Sequence, residues 1–181
     1  MQVQPDETEL IQRAKTYDPD ALSTIYERYY QAIYRYVYYR VGDSGLAEDL
    51  TGDIFLKMLH GIESYSIQGV PFSAWLYRIA RNRIIDHLRR QPQKADVSLE
   101  EARADNIAST ETTLEQALQR GELLKAIQVL TGDQRQVIIL KFIEDQDNAT
   151  IATILGKTEG AVKSLQHRAL DTLRHHMEQM Q

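Results

Sequence analysis

The stretch Asn148-Ala-Thr-Ile-Ala-Thr-Ile-Leu-Gly-Lys-Thr-Glu-Gly-Ala-Val-Lys-Ser-Leu-Gln-His-Arg168 decides the fold. Ala152 is followed by Gly156 four residues later, Val162 ten later and Leu165 thirteen later. That is the spacing of two crossed helices, in which a small residue permits close approach and a glycine makes the turn. Thr158 is placed to cap the second helix, whose buried stripe is Val162, Leu165, Ala169 and Leu173. Glu159, Gly160, Lys163, Ser164, His167 and Arg168 then lie on its outer surface. Such a surface suits a DNA major groove: Lys163 and Arg168 reach phosphates or guanine edges, and Ser164 and His167 hydrogen-bond bases. An ordinary helical hairpin with a solvated polar face has the same pattern.

Outward from this motif, apolar residues recur with a period of 3.6 through most of the chain and no strand alternation stands out, which predicts an all-α protein. A helix near 6–16 precedes the stop-and-restart signal Asp18-Pro19-Asp20. The next, over 20–40, carries Leu22, Ile25, Tyr29, Ile33, Tyr36 and Val37 on one face. Gly42-Asp43-Ser44-Gly45 breaks it, and a third helix spans 45–61, with Leu50, Ile54, Leu56 and Met58 as its buried stripe. Residues 64–71 form a loop before a fourth helix over 72–91. Further helices follow at 113–129 and 132–143, the latter opened by a Thr131 and Gln134 capping box. The organisation is two small helical domains, 1–92 and 113–181, joined by a flexible acidic linker at 93–112 in which Ser98 and Glu101 start a helical turn.

Composition narrows the function. The chain has 181 residues, 43% of them apolar, enough for a packed core. The absence of cysteine excludes disulfides and thiolate zinc sites, and the five histidines are scattered apart from His175 and His176, which fit a solvated helix end. No metal site, cofactor site, nucleophile arrangement or Gly-rich phosphate loop emerges, so an enzyme is not expected. With no long apolar run and no basic-then-apolar leader, neither membrane insertion nor export is expected, and the location expected is the cytoplasm.

A net charge of −5 argues against nucleic-acid binding only until its distribution is considered. Phe72 to Lys94 holds six basic residues against one acid, whereas Asp96 to Glu122 holds seven acids against two arginines. These neighbouring stretches are suited to different surroundings. In the basic stretch, Trp75, Leu76, Ile79, Ala80, Ile84 and Leu88 recur at helical spacing and face inward, leaving Arg78, Arg81, Asn82, Arg89 and Arg90 outward. A basic face beside aromatic rings suits nucleic acid with unstacked bases, although Phe72 and Trp75 serve equally as core. Seven tyrosines between Tyr26 and Tyr39 cannot share one helical face, so some are core and others exposed.

The motifs occur in a fixed order: Ala47-Glu-Asp-Leu with Ile54-Phe-Leu-Lys, then Phe72-Ser-Ala-Trp-Leu-Tyr-Arg-Ile-Ala-Arg-Asn, then Leu130-Thr-Gly-Asp-Gln-Arg-Gln-Val-Ile and the two-helix motif. In this order they resemble the bacterial sigma-70 family, most closely its small extracytoplasmic-function group with regions 2 and 4 only. The resemblance implies a promoter-specificity subunit of RNA polymerase without catalytic chemistry. It implies that Asp49, Leu50, Asp53, Phe55 and Lys57 dock on, or support docking on, the clamp helices of the largest polymerase subunit. It also implies that loop 64–71 with Arg78, Arg81, Asn82 and Arg83 opens and holds the −10 element. Thr158, Glu159, Gly160, Lys163, Ser164, His167 and Arg168 would address the −35 element, while region 4 also meets the flap of the other large subunit. With no sensor domain in the chain, an anti-sigma protein is the regulator implied. The linker acids resemble an RNA mimic for the exit path, or serve as a plain solvated tether.

The chain departs from many members at Gly52-Asp53, where Gln-Glu is common, and at Leu165-Gln166, where Arg-Leu is common. The last helix therefore carries less positive charge, which predicts a smaller phosphate contribution and an altered base preference. The competing function is a stand-alone helix-turn-helix repressor whose N-terminal helices bind a ligand or dimerise. It would bind duplex DNA by itself on a two-fold site, whereas a sigma factor needs core polymerase.

Overall fold

A computed structural model describes residues 6–91 and 114–181. The linker expected at 93–112, with its Ser98 turn, lies outside them. The described residues are helical with no strand, as the periodicity predicts. The N-terminal module comprises α1 (Glu7–Lys15), α2 (Pro19–Val41), α3 (Ser44–Gly61), a single 3-10 turn (Ile62–Ser64) and α4 (Phe72–Arg90). The C-terminal module comprises α5 (Leu114–Gln128), α6 (Gly132–Ile138) continuing as a π-helical turn (Ile139–Ile143), α7 (Asn148–Leu155) and α8 (Glu159–Gln179).

Local chemistry fixes the helix ends. The Asp18 carboxylate accepts from the N–H groups of Asp20 and Ala21, Pro19 supplies a helical φ at the first position, and Gly42 closes α2 at a φ of 77°. Asp43 caps α3 through Leu46 N at 2.7 Å. The Thr131 and Gln134 capping box is present in full. Residues 139–143, expected as plain α-helix, instead widen into the π turn.

In the N-terminal module α2 is the central helix, packed by α1, α3 and α4. Ile25, Ile33, Tyr36 and Val37 of α2 meet Leu50, Ile54 and Met58 of α3 and Leu76, Ala80 and Ile84 of α4, all of them buried. Two expected core positions are not core. Leu56 is 55% exposed because it follows Ile54 by two residues, about 200° around the helix. Leu88 is 48% exposed, in a last turn of α4 that has outrun the layer covering Ile84.

The tyrosines divide as expected, Tyr34, Tyr36 and Tyr39 being buried and Tyr26 exposed. Tyr26, Tyr30, Tyr34 and Tyr38 recur every fourth residue and their rings follow one another along α2 at centroid distances of 5.1, 6.1 and 6.3 Å, with Phe55 of α3 against the first two. Burial, with a smaller contribution from Glu48, pushes the Tyr34 hydroxyl up to about 12. An unfolded tyrosine ionises near 10. The stabilising contribution is therefore complete below about pH 10 and declines as pH rises towards about 12, because there the unfolded chain releases a proton that the folded one retains. Thermal unfolding across that window will show stability falling with pH, and less steeply in a Tyr34→Phe chain. An identical slope in the two would remove Tyr34 as a cause.

Candidate nucleic-acid interface

The outer face of α8 is set by the turn before it. Asp147 caps α7 through Thr150 N at 2.7 Å, Gly156 ends α7 at a φ of 63°, and Thr158 caps α8 through Ala161 N at 3.1 Å. The left-handed φ at 156 strains any side-chain-bearing residue, so glycine belongs at this turn. Gln166 Nε2 donates to Asn148 Oδ1 at 2.7 Å and ties the two helices together. Val162, Leu165 and Ala169 point into the module, with Leu173 partly buried. Thr158, Glu159, Gly160, Lys163, Ser164, His167 and Arg168 are all exposed, a single polar surface at the leading half of α8. Arg168 Nε spans only to Ser164 O at 3.4 Å, which leaves the guanidinium available to an anion.

The second basic surface lies on α4. Arg78 and Asn82 are exposed, and Arg81 is half-buried with its Nε on Gln136 Oε1 at 3.0 Å. Arg83 is held by Asp53 Oδ2, from Nη2 at 2.7 Å and Nε at 3.1 Å. Two positions assigned by resemblance to different partners thus neutralise each other across α3 and α4. Trp75 is half-buried, its ring 4.9 Å from that of Tyr65 and 5.6 Å from that of Phe72. The loop before α4 is stapled shut: the Tyr65 hydroxyl donates to Val70 O at 2.6 Å, Gly69 N to Ser66 O at 3.1 Å, and Lys15 Nζ of α1 to Tyr65 O. Ser66, Gln68 and Gly69 form its exposed tip.

Of the five positions on α3, Asp49 and Lys57 are exposed and Asp53 is half-buried. Leu50 and Phe55, at 1% and 5% exposure, are core residues that support this surface from below. Exposed Leu56 completes it, seven residues after Asp49 and hence on the same side of the helix. The inward spacing read from the sequence missed it, although its distance from Asp49 carries the signal.

The two surfaces are not independent, because the modules pack together. α7 lies across α4, and the turn after α6 rests on α2. Here the π turn, ended by Glu144 N donating to Ile139 O at 3.0 Å, leaves the Glu144 carboxylate directed at the other module. Arg35 Nε and Nη2 grip Oε1 and Oε2 at 2.8 and 2.9 Å, and the Tyr77 hydroxyl donates to Oε2 at 2.9 Å. The hydrogen bond to Glu144 holds the Arg35 guanidinium above its usual range, and burial followed by the Glu144 charge drives the Tyr77 hydroxyl far up. Beside this cluster a cleft of about 380 Å³ separates Trp75, Arg78, Ile79, Arg81 and Asn82 from Ile154, Leu155 and Gly156. Sequence reasoning gave no role to Arg35, Gln136 or Glu144, which meet groups far away along the chain.

Among the described residues no helix is long and apolar enough to cross a membrane. Residues 25–93 match sigma-70 region 2 and residues 120–173 match sigma-70, region 4. The ECF RNA polymerase sigma factor BldN of Streptomyces coelicolor is 38% identical over 167 residues, covering 91% of this chain and 63% of BldN, so the chain spans just under two thirds of that relative. SigW of Bacillus subtilis, another ECF sigma factor, is 32% identical over 174 residues, 91% of this chain and 92% of SigW. The solved structure of CnrH in complex with the cytosolic domain of CnrY shares the fold, with a TM-score of 0.74 at 20% identity over 93% of this chain and 95% of that one. With both regions matched in order and a full-length relative above 30% identity, the chain belongs to the extracytoplasmic-function group of the sigma-70 family, the promoter-directing subunits of RNA polymerase.

Proposed function

We propose a division of labour between the two surfaces, in units running 1–92 and 113–181 around the linker at 93–112. Lys163, Ser164, His167 and Arg168 of α8, with Thr158, Glu159 and Gly160 at its leading end, read the −35 duplex. The loop at 64–71 with Arg78, Arg81, Asn82 and Arg83 holds the melted −10 strand, where arginines meet phosphates and the stapled loop presents a shaped tip to unstacked bases. Asp49, Asp53 and Lys57, carried by buried Leu50 and Phe55, dock on the clamp helices, and region 4 meets the flap. The chain performs no catalysis of its own and acts with cytoplasmic polymerase. An anti-sigma protein regulates it, in keeping with the sigma factor RpoE of Bartonella quintana, which was solved in complex with the anti-sigma factor NepR.

The observation that carries this proposal is the exposure of all seven positions, the Thr158 cap and six residues on one face of α8. Run-off transcription on a genomic library with core polymerase tests it. Adding the chain will produce new promoter-specific starts. No new starts, together with dimeric binding to duplex DNA in the absence of polymerase, would replace it with the repressor.

A further inference from the structure

We propose that the seam between the modules holds a binding site for a small tetrahedral oxyanion of the phosphate class, built by Arg40 at the end of α2 with Arg135 and Gln128 of the C-terminal module. Arg40 is 6% exposed, and its Nε and Nη1 are buried without a hydrogen-bond partner. Among the described residues no carboxylate forms an ion pair with it. Glu144 is taken by Arg35, Asp133 by Lys157 and Asp53 by Arg83, and Asp43, the nearest acid along the chain, is turned to Leu46 N as the cap of α3. The carbonyl end of α2 favours a cation in this turn but gives neither nitrogen an acceptor. A guanidinium so placed is costly to bury until an anion meets it.

The surroundings add positive charge and donors. Burial, followed by the charge of Arg40, holds the Arg135 guanidinium below its usual range. Arg135 is fixed at the end of α5, its Nε donating to Ile127 O at 3.2 Å and its Nη2 to Gln128 O and Leu130 O at 3.0 and 3.1 Å. Gln128 Nε2 is another buried donor without a partner, and it lies 3.9 Å from where a Cβ on Gly42 would stand, two residues after Arg40. From α2 itself the buried Tyr36 hydroxyl meets the charges of Arg40 and Arg81. The unpartnered nitrogens of Arg40 and Gln128 are all donors. A tetrahedral oxyanion offers charged acceptors in several directions, whereas a carboxylate presents one edge and water brings no charge. Because these nitrogens are shut away from solvent, the occupant is a small ion and not the backbone of a nucleic acid. Its ligands come from both modules, so it binds the packed chain and ties the stability of that chain to phosphate.

Thermal unfolding and calorimetric titration of the full chain with inorganic phosphate, at an ionic strength held constant with sodium chloride, test the site. Phosphate at about 100 times its dissociation constant will raise the melting temperature by about 5–10 °C. Arg40→Met, which removes the charge that needs a counter-ion, will lose this shift. Gln128→Leu keeps Arg40 and removes one donor, so it will bind phosphate about tenfold more weakly, and it keeps the test valid where Arg40→Met fails to fold. Equal melting of the parent in phosphate and in chloride overturns the site. So does a full shift in folded Arg40→Met, or unchanged affinity in Gln128→Leu. A shift that disappears instead when Lys163 and Arg168 are replaced by alanine places the ion on α8 and overturns it as well. Neither polymerase nor promoter enters these measurements, so they stand or fall separately from the transcription result.

Discussion

Replacing Lys163 and Arg168 together by alanine will lower transcription from −35-dependent promoters by about two orders of magnitude. Each side chain stands on the exposed face of α8. A well-placed contact from such a residue to a base edge contributes about 1–3 kcal/mol of discrimination, and two such losses compound to roughly hundredfold. If the contacts go to phosphates, the loss will extend to all sequences and the salt dependence of binding will become shallower by about one unit of slope per phosphate. Thermal stability will change little, since substitutions at exposed positions fall within about 0.5 kcal/mol. Association with core polymerase, proposed to run through Asp49 and Lys57, will also persist. Measured in run-off assays beside a template with a pre-melted −10 segment, the double variant will be impaired on the duplex promoter far more than on the melted one. Equal transcription from the duplex promoter would remove α8 as its reader.

Leu50→Ala will destabilise the N-terminal module by about 2–5 kcal/mol, the usual cost of emptying a well-packed leucine site. Total stability for a domain is about 5–15 kcal/mol, so this is a large share of it. Leu50 is 1% exposed and sits with Ile54 and Met58 between α2 and α4. Its effect on polymerase binding will follow the fraction of chain unfolded. Asp49→Ala, one residue earlier and exposed, will do the opposite: melting stays where it was and affinity for core polymerase drops. Calorimetry and a polymerase pull-down on the two variants separate support from contact. A Leu50→Ala chain with unaltered melting would contradict the packing of α3.

What could be read from the sequence was whatever is local. The Asp18-Pro19 restart, the Thr131 and Gln134 box, the Thr158 cap and the Gly156 turn each act within four residues, and the helices begin and end beside them. The exposed face of α8 followed from one buried stripe and was correctly placed. Errors arose where a pattern was extended beyond its geometric warrant, as with Leu56, two residues out of phase, and Leu88, beyond the covering layer. The inter-module cluster was illegible for a different reason. Arg35 and Glu144 are 109 residues apart, and an acid followed by Asp145, Gln146 and Asp147 looks like a solvated loop. Only the π turn that precedes it carries Glu144 inward, and no spacing rule announces such a turn.

The staple on the loop before α4 bears on where the N-terminal module begins as a physical object. Its anchor, Lys15, belongs to α1, and Leu10, Ile11 and Ala14 of the same helix are buried in the common core. The segment recognised as region 2 starts at residue 25, inside α2. A fragment cut at that family boundary would therefore expose the underside of α2 and release one end of the loop. The cooperative unit is larger than the recognisable one, and the shape of the loop before α4 is inherited in part from a helix that family membership does not mark.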